Sequence, residues 1–338
     1  MLDAEQKRTR KTNADTTSWS IPPGIHKDIS SSLTKFRNGI VVVAVMKDEI
    51  LRLPWFLNYY RRLGCAGFLI IDDSSTDGTI DFLLSQDDVM LFHSGSESYA
   101  DSKSGTDWIN ALVRRYARNK WVLCVDTDEL LCWPFYKRQG LSGLVKKAER
   151  LGLKRVFTPM IDAYSDKAVS EMGKYEPGSP FGDACPWIDP VDTMTAAWSN
   201  DGRLLLRGGP RKRFHQDSSM SPPLLTKQSL YFVEEDGAYL LNSHFDSHLT
   251  PSPLVAPLLH YKFLPDFSDR VEKAIREGEH WNDAAEYKNY RKLSLWDKNL
   301  KIKSSVRVNS SLDLAGHIKA IQRIIIQGLA RSSASKIQ

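Results

Sequence analysis

Several familiar patterns are missing from these 338 residues, and each absence narrows the field. No G-x-G-x-x-G follows the first apolar run, which argues against a dinucleotide-dependent oxidoreductase. The turn Met46-Lys-Asp-Glu49 after that run also lacks the glycine-rich phosphate loop that a nucleotidyltransferase usually carries. No segment approaches the roughly 20 apolar residues of a bilayer-spanning helix. The cysteines Cys65, Cys124, Cys132 and Cys185 form neither a CxxC pair nor a Cys/His zinc spacing, so buried reduced thiols in a reducing compartment are expected. A formal charge of +5 is too mild for the concentrated basic surface of a nucleic-acid binder, and fits an anionic small molecule or an anionic membrane surface. The basic stretch Lys7-Arg-Thr-Arg-Lys11 has no apolar core of a secretory signal, so a cytoplasmic protein is expected.

What is present is a strongly periodic first half. Residues 1–37 read as a flexible arm containing Pro22-Pro23-Gly24. Ile40 to Met46 is a continuous apolar run, the mark of a parallel strand covered on both faces. Leu53, Phe56, Leu57, Tyr60 and Leu63 then recur at helical spacing, with Pro54 in the first turn and Gly64 at the end. Strands follow at Phe68–Ile71, Val89–Phe92 and Trp121–Val125, separated by helices through Phe82–Leu84 and Trp108–Tyr116. A further helix over Leu141–Leu151 and a strand at Val156-Phe157 continue the series. This βαβαβαβ order predicts a mostly parallel, Rossmann-like α/β sheet flanked by helices. The nucleotide-binding half is placed at 38–165, a loop-rich acceptor side at 166–265 and a C-terminal helical segment at 266–338. Short strands are expected near Tyr231–Val233 and Tyr239–Leu241, and helix over 268–291.

Ligands of such sheets bind beyond the carboxyl ends of the strands. Strand ends here carry polar chemistry, with carboxylates after the first, second and fourth: Asp48-Glu49, Asp72-Asp73, and Asp126-Thr127-Asp128. In an extended segment side chains two apart share a face, so Asp126 and Asp128 should stand together at the mouth of a buried strand. Ionised oxygens there are costly unless paired or metal-bound, and a hard divalent cation shared with substrate phosphates meets that need. In the turn after the second strand, Asp77 suits a helix cap and Gly78 a tight turn.

Val43-Ala-Val-Met-Lys-Asp-Glu49, Ile70-Ile-Asp-Asp-Ser-Ser-Thr-Asp-Gly-Thr79 and Val125-Asp-Thr-Asp-Glu-Leu130 resemble, in order and spacing, the nucleotide-sugar-binding half of family 2-like glycosyltransferases with the GT-A fold. The nearer likeness is to a bacterial branch with Lys-Asn-Glu as its first motif, from which Asp48 departs. Gly208-Gly-Pro-Arg-Lys-Arg213 and Leu259-His-Tyr-Lys-Phe263 extend the likeness to about residue 290. The resemblance implies transfer of a sugar from a nucleotide-diphosphate donor, a UDP-sugar favoured, to a saccharide or lipid-linked acceptor in polysaccharide or glycoconjugate synthesis. It implies Mn2+ or Mg2+ held by Asp126, Asp128 and His260, with His244 a competitor for the histidine. Asp48, Glu49, Asp73, Ser75, Asp77, Lys103, Asp126, Arg211 and Arg213 are the expected nucleotide-sugar contacts. An inverting transferase also needs a carboxylate base, for which Glu235, Asp246 and Asp189 are the candidates. A sugar nucleotidyltransferase and a non-catalytic nucleotide-binding module stay open as alternatives. The apolar, basic-flanked stretch from Ile318 to Arg331 is expected to pack on its own domain or a sister subunit, with peripheral membrane contact the competing use.

Overall fold

The computed structural model describes residues 39–95, 98–215, 221–235, 237–278 and 281–335. The N-terminal arm expected at 1–37 lies outside the described residues. The first half runs β1 (Val41–Met46), α1 (Leu53–Arg62), β2 (Gly67–Asp72), α2 (Thr79–Leu84), β3 (Val89–His93), α3 (Thr106–Tyr116) and β4 (Trp121–Cys124). After it come β5 (Glu129–Leu131), α4 (Tyr136–Arg150), β6 (Arg155–Val156), β7 (Met160–Tyr164), α5 (Phe181–Ala184) and β8 (Trp187–Ile188). Then follow β9 (Thr195–Trp198), β10 (Leu204–Arg207), α6 (Gly209–Arg213), β11 (Leu230–Phe232) and β12 (Leu258–His260). The chain closes with α7 (Phe267–Glu277), α8 (Trp281–Lys292), β13 (Val306–Arg307) and α9 (Ala315–Ser335).

The main sheet has the order β3-β2-β1-β4-β11-β6. Its first four strands are mutually parallel, as expected from βα crossovers, while β11 inserts antiparallel between β4 and β6. Strict alternation along these strands sorts their side chains into two cores. Val42, Ala44 and Met46 of β1, Phe68 and Ile70 of β2 and Leu123 of β4 meet Phe56, Leu57 and Tyr60 of α1 and Leu141 and Leu144 of α4. Val41, Val43, Leu69, Ile71, Met90 and Phe92 point the other way, onto Trp108, Leu112 and Val113 of α3. Each such fully buried large side chain contributes roughly 1.5–3 kcal/mol, so the two-faced core anchors the strand ends firmly. α1 begins with Pro54, whose missing N–H costs nothing in a first turn, and gives way to Gly64 at φ +80°.

A second sheet, β13-β8-β7-β12-β5, lies beyond β4 in the chain and carries later site residues. Its strand β12, between β7 and β5, runs antiparallel to β5 and parallel to β7, and this register sets His260 between Glu129 and Asp162. A third apolar cluster, with Phe263, Phe267, Val271 and Tyr290, fixes α7 and α8 beside this sheet.

Three expectations change in detail. The helical stretch 268–291 is two helices, because Gly278 adopts φ +68° after α7. The segment 239–241 forms only a bridge between Leu240 and Asp246 rather than a strand. The strand near 156 joins the far edge of the main sheet, separated from β4 by β11. In α9, Ile318, Ile321 and Ile325 are buried in the main core, which uses up its apolar face, and Gly328 passes so close to Trp198 that a Cβ would lie 2.2 Å from the ring. Among the described residues no helix is long and apolar enough to cross a membrane.

Candidate active site

The carboxyl ends of β1, β2 and β4 open into a cavity of about 260 Å³. Lys47, Asp48, Glu49, Asp73, Asp126, Thr127 and Asp128 line it from the sheet side, and His260, Lys262, Arg270, Lys273, Glu277 and Tyr287 from later elements. Six carboxylates and four fixed cations therefore share one small space, and their pairing decides what it can bind.

β4 stops at Cys124, so Asp126 and Asp128 sit in the turn before β5 and not on a common strand face. Their side chains diverge. Asp126, with a side chain 61% exposed, meets the Lys227 ammonium at 3.2 Å. Lys227 in turn holds both oxygens of buried Glu129 at 2.6 Å, and Glu129 accepts the Asp126 backbone N–H at 3.0 Å. Burial alone would lower the Lys227 ammonium, but Asp126 and Glu129 raise it, so this turn is pinned by a permanent cation.

Asp128 is buried and faces His260, with Oδ2 3.7 Å from Nε2. Behind the imidazole, Nδ1 lies 2.7 Å from Oδ1 of Asp162, which Arg211 Nε holds at 2.9 and 3.0 Å. Burial pushes the Asp162 carboxyl up, yet Arg211 and His260 outweigh it and bring it to about 2. An ionised Asp162 accepts, so Nδ1 of His260 donates, and Nε2 is left facing Asp128. Gly209 (φ +68°) passes 2.9 Å from an Asp162 oxygen, measured from where a Cβ would stand, so any side chain there would break the cradle. Burial raises Asp128 as well, but His260, Arg270, Arg52 and Lys262 hold it well below the usual carboxylate range.

These residues fit a divalent cation in part. Among the described residues the Asp128 carboxylate has no hydrogen bond, and its 3.7 Å separation from His260 Nε2 is one that a single ion bonded to both at about 2.1 Å can span. A histidine whose other nitrogen donates to a buried carboxylate is the usual form of a metal-binding imidazole. Asp126 lines the same cavity, but its Oδ2 is paired with Lys227 at 3.2 Å. Among the described residues no group of three His, Cys, Asp or Glu side chains forms a ready metal cage, so an ion here would draw its remaining ligands from a substrate.

The other expected contacts divide sharply. Asp48, Glu49 and Asp73 line the cavity, Glu49 only 6% exposed. Ser75 and Asp77 act as scaffolding: Ser75 Oγ accepts the Asp48 N–H at 2.8 Å, and Asp77 accepts from Thr79 N at 3.0 Å and Ile50 N at 3.1 Å. They tie the turn after β2 to the turn after β1. Lys103 lies outside the cavity lining, in an exposed pair with Asp107 at 2.8 Å. Arg211 is buried behind His260, and Arg213 binds Asp189 at 2.8 Å and the Leu300 carbonyl at 2.6 Å, so neither lines the cavity. His244 does not compete with His260, since its Nδ1 meets the Thr226 carbonyl at 2.8 Å away from the lining.

None of the three base candidates lines the cavity. Glu235 is exposed beside Arg118; Asp246 is buried against Arg155 at 3.0 Å; Asp189 accepts from Tyr164 and Arg213. Each is explained by its own ion pair or hydrogen bond. The residues that sequence reasoning missed are Arg270, Lys273 and Glu277 on α7, together with Lys262 and Tyr287. Their signal was the helical spacing 270, 273, 277, which puts them on one face.

No protein-family model and no curated protein matches this chain. Solved structures with some likeness include a 4-diphosphocytidyl-2C-methyl-D-erythritol synthase, at 9% identity and TM-score 0.28, covering 83% of this chain and 98% of that one. HddC from Yersinia pseudotuberculosis shares 9% identity at TM-score 0.31, covering 69% of this chain and 97% of its own. The enzyme titled 4-diphosphocytidyl-2C-methyl-D-erythritolsynthase from Anaerococcus prevotii DSM 20548 stands at 10% identity and TM-score 0.26, covering 84% and 99%. At these scores the likeness carries no weight for activity.

Proposed function

We propose that this protein is a glycosyltransferase that moves a sugar from a nucleotide-diphosphate donor, with a UDP-sugar favoured, to a hydroxyl of a saccharide or lipid-linked acceptor. The observation that carries the reading is the line Asp162–His260–Asp128, which ends at the mouth of a polar cavity walled by the strand-end carboxylates. Asp73 and Asp48 are positioned to accept hydrogen bonds from a base and ribose. Asp128 and His260 would hold Mn2+ or Mg2+, and such an ion, when bound, supplies neutralising charge to the departing diphosphate. Asp162 fixes the His260 ring with Nε2 directed at the cavity, Lys227 and Glu129 fix the turn that carries Asp128, and α7 supplies Arg270, Lys273 and Glu277 to the lining. A role in polysaccharide or glycoconjugate synthesis rests on the motif resemblance alone.

Nucleotidyl transfer is the second reading, favoured by Lys47 lining the cavity directly after β1, where a cation would meet a nucleoside triphosphate. One experiment separates them. The purified protein is incubated with manganese and either UDP- and GDP-sugars or nucleoside triphosphates plus sugar 1-phosphates. Slow release of nucleoside diphosphate, lost in Asp128→Asn, supports glycosyl transfer; pyrophosphate release from the second mixture supports nucleotidyl transfer. Binding of nucleotide with neither product would leave a non-catalytic binding module and overturn both.

A further inference from the structure

Four charged residues at and after the end of β1 each pair with α7 or its cap, in reverse order. Lys47 meets Glu277 at 3.4 Å, Asp48 meets Lys273, Glu49 meets Arg270 at 3.1 Å, and Arg52 binds both oxygens of Asp266 at 2.6 and 2.8 Å. Positions 266, 270, 273 and 277 lie on one helical face, so the whole face is committed to this turn. The pairs are not equally satisfied. Arg270 Nη1 is buried and, although close to Glu49, has no hydrogen bond of acceptable geometry. Lys273 is half-exposed to the cavity, and Lys262 stands nearby, 4.6 Å over the Tyr287 ring and 3.6 Å from Glu286.

From this geometry we infer that Arg270 and Lys273, supported by Lys262, are the protein's own anion site for a diphosphate. It shares the cavity lining with Asp128 and His260. Arg270 lines the cavity with an Nη1 that is ion-paired to Glu49 but makes no well-formed hydrogen bond; a phosphate oxygen would satisfy such a donor, and the guanidinium fork suits two such oxygens at once. Lys273 then exchanges the Asp48 carboxylate for phosphate, and Asp48 is released to accept hydrogen bonds from the rest of the ligand. The diphosphate identity rests on the reading of the cavity as a nucleotide-sugar site, whereas the anion site itself rests on the cations alone.

Inorganic pyrophosphate is the test probe, because it contains no base or sugar. Calorimetric titration in excess EDTA should show binding by the full-length wild type. Lys273→Gln should weaken it about tenfold and Arg270→Gln by about tenfold or more, as for loss of one charge-assisted contact. Asp48→Asn should tighten it severalfold by removing the competing carboxylate. Lys298→Gln, the same charge change at an exposed lysine outside the cavity, should change nothing. Arg270→Lys guards against misfolding of the glutamine variant and should retain part of the affinity. Absence of pyrophosphate binding in the wild type, or undiminished wild-type affinity in both Lys273→Gln and Arg270→Gln, would overturn the inference. If pyrophosphate behaves as expected while UDP, GDP, CDP and ADP bind no tighter than it does, the anion site stands and the nucleotide-sugar reading falls.

Discussion

The floor of the cavity, built by the turns after β1, β2 and β4, presents Asp48, Asp73, Asp126 and Asp128, whereas the roof presents Arg270 and Lys273 from α7 with Lys262 beside them. The floor is made by parallel strands, whose carboxyl ends must converge whatever their sequence separation. Acidic residues placed there meet as a result of topology. The roof is made by a helix some 140 positions further on, and its cations reach the cavity because Phe267 and Val271 dock the adjoining face in the third apolar cluster. One wall follows from the architecture, the other from packing.

The largest expected effect tests the floor. Asp128→Asn should lower sugar transfer by at least about a hundredfold, in line with loss of a principal electrostatic group, and should abolish manganese-dependent nucleotide affinity in calorimetry. Equal manganese-dependent affinity in variant and wild type would remove Asp128 from the metal-binding role. Behind the floor, Asp162→Ala leaves the buried Arg211 guanidinium without its carboxylate, at a cost of about 3–5 kcal/mol in urea unfolding. It should also weaken metal affinity about 10–100-fold by freeing the imidazole. The double variant Asp162→Leu/Arg211→Met should regain most of the stability but not the metal affinity; recovery of both would show that Asp162 merely fills space.

Acid should act on the same line of residues. Asp162 titrates near 2 in the folded protein against 3.8 unfolded, and Asp128 is depressed as well. A depressed carboxylate contributes stability above its unfolded pKa and loses it as pH falls through the folded value. Stability should therefore decline between 3.8 and about 2 on account of Asp162, and Asp162→Asn should flatten that limb of a pH–Tm series. An unchanged limb would place the acid sensitivity elsewhere. The smallest effects belong outside both walls: Lys103→Gln and Glu235→Gln break exposed pairs worth about 0.5 kcal/mol or less, and neither should alter nucleotide binding. A clear loss of affinity in Lys103→Gln would extend the floor toward α3.

Much of the first half was legible because hydrophobic runs and turn residues encode it locally. β1 to β4, their helices and the carboxylates at their ends follow from period, length and punctuation. What escaped depends on contacts distant in the chain. Asp126 and Asp128 point apart because β4 ends at Cys124, and no local pattern marks that one-residue difference. Asp246 and Asp189 resembled free carboxylates until Arg155 and Arg213 were brought to them from 91 and 24 positions away. Arg211, expected at a diphosphate, instead supports His260 because α6 enters beside β7. His260 itself was readable as a site residue, but its partner Asp162 was not, since their pairing arises from the register of β12 against β7.

The reversed pairing of the turn 47–52 with 266–277 also constrains how this protein can change over evolutionary time. Adding or deleting one residue within α7 rotates everything beyond it by about 100°, which would separate several ion pairs in a single event. Exchange of the signs of two partners, by contrast, leaves the ladder intact. Descendants of this sequence should therefore keep α7 at constant length while trading charges in matched couples only outside the anion site, so that 47 covaries with 277 and 52 with 266. Loop length is free to drift elsewhere; here it is locked by a helical turn.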